Sequence, residues 1–163
     1  MARLEIRRLI PAPPAAVWDV IADLERQAAW MVDVRRLEVV RRSGVVLAAP
    51  GAADAGQYGV GATLRVTSTL FGLPVVRDVM VVTAWEPPRR LAVEHRGQFH
   101  GAGEFRLDPA GGGTTFTWAE DFRPPLGPLG EVAFALVVRP HLRRVFSRSL
   151  ANVARLAARD QMR

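Results

Sequence analysis

Four clusters of turn-forming residues cut the middle of this chain at short intervals: "FGLP" at 71–74, "EPPRR" at 86–90, "FHGAG" at 99–103 and "DPAGGG" at 108–113. Each supplies the Gly, Pro or Asp that tight turns require. The runs between and after them, 75–85, 91–99, 102–107 and 114–122, are strand-like, with Val, Thr, Phe and Trp in alternation or in unbroken apolar stretches. A parallel pair of strands needs a crossover of about a dozen residues or more. These connections are far shorter, so the strands must form an antiparallel meander. Such a sheet has an apolar face that another element has to cover.

The flanks supply the rest. Leu4, Ile6 and Ile10 share one phase of a half-buried strand at 2–10. Pro13 and Pro14 suit the first turn of a helix, and Val17, Trp18, Ile21 and Leu24 then fall on one helical face. A second short helix is expected to end near Trp30. Residues 33–42, with Leu37 and Val39, and 62–70, with Leu64, Val66 and Leu70, add two strands. Between them "AAPGAADAGQYGVG" at 48–61 is too rich in Gly and Ala for a core element and reads as a loop. "PPLGPLG" at 124–130 ends the sheet, and one long helix fills the remainder, with Pro140 marking a bend rather than an end. The pattern is α+β in one domain over residues 1–163: a strand, two short helices, a long antiparallel sheet and a final helix over its apolar face.

That helix carries the stretch most suggestive of a partner, "VVRPHLRRVFSRSLANVARLAARDQ" at 137–161. The chain has no lysine, so all 22 basic residues are arginine, and the net charge is +6. At 100° per residue Leu142, Val145, Phe146, Ser149, Val153 and Leu156 gather on one side, and Arg144, Arg148, Arg155 and Arg159 almost opposite. The arginines are then the outer face of an amphipathic lid. No aromatic residue stands among them to stack on bases, which speaks against nucleic acid as a partner. Arg or Asp interrupts every apolar run, so no membrane span is expected, and the first residues lack a secretory signal's apolar centre. Without cysteine there is no disulfide, thiolate nucleophile or thiolate-held metal. Cytoplasmic residence is the expectation.

Strand phase sorts the chemistry. On 114–122 the inner face carries Phe116, Trp118, Glu120 and Phe122; on 91–99 it carries Leu91, Val93, His95 and Phe99. Phe105 and Leu107 face inward on 102–107, as do Leu64, Val66, Ser68 and Leu70 on 62–70. His95 and Glu120 are thus ionisable groups in phase with aromatic inner faces. They read either as a rim or core pair satisfied by neighbours, or as the acid and base of a pocket. Ser149 interrupts the helix's apolar stripe, either bonded back to its own helix or left small beside a void. Trp30 and Trp118 are the tryptophans best placed to meet a ligand. "GQYGVG" at 56–61 lacks the strand and helix of a nucleotide loop, and the three histidines do not converge as metal ligands. No cofactor is expected.

Several stretches together resemble the START-like superfamily, specifically the bacterial polyketide cyclase/dehydrase and lipid-transport proteins. They are "IPAPPAAVWDVIADLERQAAW", "GVGATLRV", "VTAWEPPRRLAVEH", "GAGEFRLDPAGGGTTFTWAEDF" and "LVVRPHLRRVFSRSLANVARL". The "EPPRRL" turn and the proline-bearing final helix are the most specific. The resemblance implies a helix-grip fold, a curved antiparallel sheet wrapped around the long C-terminal helix, with a pocket between them for a small hydrophobic molecule. It carries no catalytic motif, and the ending "ARLAARDQMR" and the expanded 48–61 loop depart from the family pattern. The expected ligand contacts are Trp30, Leu64, Val66, Ser68, Phe99, Phe105, Phe116, Trp118, Phe122, Phe146, Ser149 and Val153. Binding of an aromatic polyketide-like or lipid-like molecule is the first reading. The alternative is an aromatase/cyclase or dehydrase, with His95 or Glu120 moving a proton and Ser68 or Ser149 orienting a carbonyl. A homodimer stays open.

Overall fold

A computed structural model describes residues 2–41, 58–98, 100–123 and 127–160. Strand β1 (Ala2–Ile10) leads into helix α1 (Pro14–Ala22), with Pro14 in its first turn, and then a 3₁₀ helix (Leu24–Ala29) capped by the Asp23 side chain. Six strands follow: β2 (Val34–Arg41), β3 (Thr63–Leu70), β4 (Leu73–Glu86), β5 (Arg90–Arg96), β6 (His100–Ala110) and β7 (Gly113–Phe122). All pairings are antiparallel, and the sheet order is β1-β7-β6-β5-β4-β3-β2. The meander is the one that the turn signals predict. The first strand pairs with the last, Leu4 opposite Glu120 and Ile6 opposite Trp118.

All four turn signals extend into the flanking strands. Of "FHGAG", residues 100–103 belong to β6, and the β5–β6 connection lies just before them. The glycines there are required by crowding rather than by a turn. A Cβ on Gly101 would run into the Asp121 carbonyl, and one on Gly103 would stand 2.7 Å from Glu120 Oε1. In "FGLP" only Phe71 and Gly72 turn the chain, both at positive φ (52° and 84°), between paired Leu70 and Leu73.

From Gly127 to Asp160 the backbone is helical without a break: α2 (Gly127–Ala133), a π-turn (Phe134–Val138) and α3 (Arg139–Asp160). Pro140 cannot donate to the carbonyl four residues back, and its ring would crowd that group. The wider π-turn immediately before it accommodates this, with Arg139 N–H donating to the Phe134 carbonyl. The bend expected at Pro140 is therefore a π-turn one step upstream.

The helix does two jobs along its length. Its C-terminal half buries Leu150, Val153 and Ala157 completely, in a core shared with Leu4, Ile10, Val17 and Ile21. Full burial of each Leu, Ile or Val among them contributes about 1.5–3 kcal/mol. Its N-terminal half, with α2 and the π-turn, roofs the sheet more loosely, and α2 has no buried residue. Arg143, Arg144, Arg148, Arg155 and Arg159 are exposed, on the side the sequence assigns to solvent. This is the helix-grip arrangement that the resemblance implies.

Candidate functional site

Between the loose half of the helix and the sheet lies a cavity of about 340 Å³. Leu64, Leu70, Met80, Leu91, Val93 and Phe105 form much of its floor, and Phe134, Val138, Leu142 and Phe146 its roof. Leu24, Gln27 and Met31 close one side from the 3₁₀ helix and the residues after it.

One region of this apolar chamber is polar and ordered. Asp78 on β4, His95 on β5 and Glu120 on β7 are all buried, at 3, 7 and 7% exposure. His95 Nδ1 lies 2.5 Å from Asp78 Oδ2, and Nε2 lies 3.0 Å from Glu120 Oε2. Asp78 Oδ1 accepts the backbone N–H groups of Val79 and Gly97, at 2.9 and 2.8 Å. Glu120 Oε1 accepts the Trp118 indole N–H at 2.8 Å. Trp118 in turn stacks on Phe146 of α3, ring centroids 3.9 Å apart and nearly parallel. A hydrogen-bonded chain thus runs from Asp78 on β4 across the floor to Trp118 on β7, whose ring contacts the roof helix.

The strand between His95 and Glu120 makes this chain possible. Gly103 of β6 pairs with Val93 on one side and Glu120 on the other. Lacking a side chain, it leaves bare backbone against which the Glu120 carboxylate rests. Burial disfavours a charged His95 and is the largest single effect on it. The hydrogen bonds and charges of Asp78 and Glu120 together outweigh burial and push its pKa up to about 10. At neutral pH it is an imidazolium donating from both nitrogens. Neither nitrogen is left for a metal, and no group of His, Asp or Glu among the described residues could hold one.

Asp33, just ahead of β2, is a further carboxyl at the cavity wall. Burial pushes its pKa up to about 6, against its own backbone hydrogen bond and with help from the Glu120 charge. Its Oδ1 is buried without a hydrogen-bond partner.

Of the residues singled out in the sequence, His95, Glu120, Leu64, Ser68, Phe105, Trp118, Phe122 and Phe146 line the cavity. Five others pack behind or beside it. Trp30 sets its ring against those of Phe105 and Trp118. Phe116 lies edge-on to Phe105, and Val66 and Val153 are core. Ser149 is fully buried in the packing half of α3, its hydroxyl donating to the Val145 carbonyl at 3.1 Å and accepting the Val32 N–H at 3.0 Å. Phe99 and residues 42–57 of the expanded loop lie outside the described residues.

Asp78 and Asp33 are the site residues that the sequence reading missed. Asp78 had a signal: within "PVVRDVMVV" it is the only acidic side chain, in phase with Val76, Met80 and Val82. A carboxylate on an inner face needs a partner, and His95 one strand away is that partner.

The family model for polyketide cyclase/dehydrase and lipid transport matches residues 1–158. No protein of curated function matches the sequence. Among solved structures, TTHA0849 from Thermus thermophilus is similar at 21% identity and a TM-score of 0.76, covering 98% of this chain and 99% of that one. The Zhui aromatase/cyclase from Streptomyces sp. R1128 is similar at 17% identity and a TM-score of 0.70, covering 97% and 94%. A START superfamily protein from Mycobacterium smegmatis gives 14% identity and a TM-score of 0.59, covering 99% of both chains. At these identities the structures speak for the fold, while the family match spans nearly the whole sequence. The chain belongs to the polyketide cyclase/dehydrase and lipid-transport family.

Proposed function

We propose that this protein binds a small hydrophobic molecule in the cavity between the sheet and the C-terminal helix, and that binding rather than catalysis is its primary activity. The observation that carries this is an apolar chamber of about 340 Å³ whose histidine has both nitrogens committed to carboxylates. Apolar contact at about 25 cal/mol per Å² supplies useful affinity without any reacting group. A base must be able to take a proton, and His95 already carries one at neutral pH.

The test is titration with Nile red, an uncharged dye that brightens in apolar surroundings. Saturable binding at one site per chain is expected. Val93→Trp, which fills the chamber from its floor, should abolish that binding while the circular dichroism spectrum stays native. Dye binding unaffected by the filled chamber would refute the reading.

A second reading is supported by the Asp78–His95–Glu120 chain itself, which could position a carboxylate to shuttle a proton during polyketone cyclisation or dehydration. Turnover of a poly-β-ketone thioester, lost in Glu120→Gln with dye binding retained, would establish it. Absence of turnover in the native protein would dismiss it.

A further inference from the structure

The cavity and the protein around it differ in charge. The chain carries +6, all its basic side chains arginine, yet among the described residues no arginine lines the chamber. Its wall instead holds Asp33, Asp78 and Glu120 against a single imidazolium. Glu104 also borders it, but that carboxylate is tied to Arg90 at 2.9 Å. Asp78, His95 and Glu120 together carry one net negative charge, and Asp33 adds a carboxyl with an unpartnered oxygen. Each Glu120 oxygen accepts one hydrogen bond and so keeps acceptor capacity. The strong donor, His95, is spent on both sides. A ligand reaching this region meets carboxylate oxygens.

We propose that the chamber selects apolar molecules whose polar end is a cationic amine, accepts a neutral hydroxyl less well, and turns away carboxylates. This rests on the binding reading above and gives it a ligand class. The selection follows from electrostatics in a poorly solvated space. An ammonium entering beside Glu120 and Asp33 donates charge-assisted hydrogen bonds to oxygens that have room for them. A hydroxyl donates a weaker one. A carboxylate would bring a like charge out of water to face existing carboxylates, with the one charged donor of this region, His95, already engaged on both nitrogens.

Displacement of Nile red by decylamine, decanol and decanoate tests this, since the three share a chain and differ in the polar end. The measurement belongs at about pH 8, above the Asp33 value of about 6 and below the His95 value of about 10, where both groups are charged. Decylamine should displace best and decanoate worst, with about tenfold or more between them. In Asp33→Asn the amine should lose affinity while decanol keeps it, so the gap narrows. Decanoate competing as well as decylamine, with decanol also binding, would overturn the inference and leave the apolar cavity standing as a binding site. Failure of all three to displace the dye, or of the dye to bind, would remove both. Should Asp33→Asn not fold, the ranking on the native protein still decides.

Discussion

His95 is the residue whose protonation the fold controls most strongly. A histidine raised from 6.5 to about 10 contributes stability that is fully present below pH 6.5 and is lost as pH rises through about 10. The ring nitrogens of ¹⁵N-labelled His95 should therefore show the imidazolium pattern by NMR at about pH 8. A neutral tautomer there would mean that burial, not the two carboxylates, dominates. Asp33 runs the other way. Its carboxyl is raised from 3.8 to about 6, so folding retains a proton that the unfolded chain gives up. The folded state is penalised as pH climbs from 3.8 to about 6, and the penalty stays constant beyond. Asp33→Asn should thus raise the melting temperature at about pH 8 and change it little near pH 3. An equal gain at both would show that the effect is packing rather than charge.

At the scale of elements, β6 carries the sharpest test of how the site is built. Gly103→Ala would press a methyl group against the Glu120 carboxylate. It should cost about 1–3 kcal/mol in denaturant melts, and it should lower the His95 pKa by displacing one partner. Gly111→Ala, with open space around its Cβ, is the control and should be nearly neutral. Equal effects would show that Gly103 is no special floor. The outward face of α3 should tolerate change: Arg144, Arg148 and Arg155 replaced together by Gln should cost at most about 1 kcal/mol each. Leu150→Ala on the opposite face should cost about 2–5 kcal/mol. That division was legible in the sequence, because helical periodicity separates the two faces directly. So were the meander and the inward phase of His95 and Glu120, which alternation alone sets. What separates cavity from core was not legible. Phe105 and Phe116 share the inward phase, but only the depth of each strand beneath the roof decides which meets the void. Ser149 shows the same limit, since its Val32 partner comes from a segment far away in sequence. The glycines of β6 misled because a turn and a crowded strand both call for a missing side chain.

Across the whole molecule, packing is divided between a tight end and a roofed end. Leu150, Val153 and Ala157 are sealed against the core, whereas Leu129, Val132, Leu136 and Val137 on α2 and the π-turn are exposed. Elements with few buried contacts open locally at low cost. Amide hydrogen exchange should accordingly be fast in α2 and slow in the second half of α3, and Nile red should slow it at the roof alone. Uniform protection along 127–160 would contradict the division. The tryptophans follow the same geography, with a consequence for optical measurements. Trp18 meets Trp85 edge-on at 5.3 Å, and Trp30 meets Trp118 edge-on at 6.0 Å. Indoles this close and this steeply inclined couple their electronic transitions, giving each pair its own circular dichroism band. Only the second pair includes a residue of the cavity wall. The native chain therefore carries a built-in chromophore that senses the chamber's contents and, in Trp18 with Trp85, a matched one that does not.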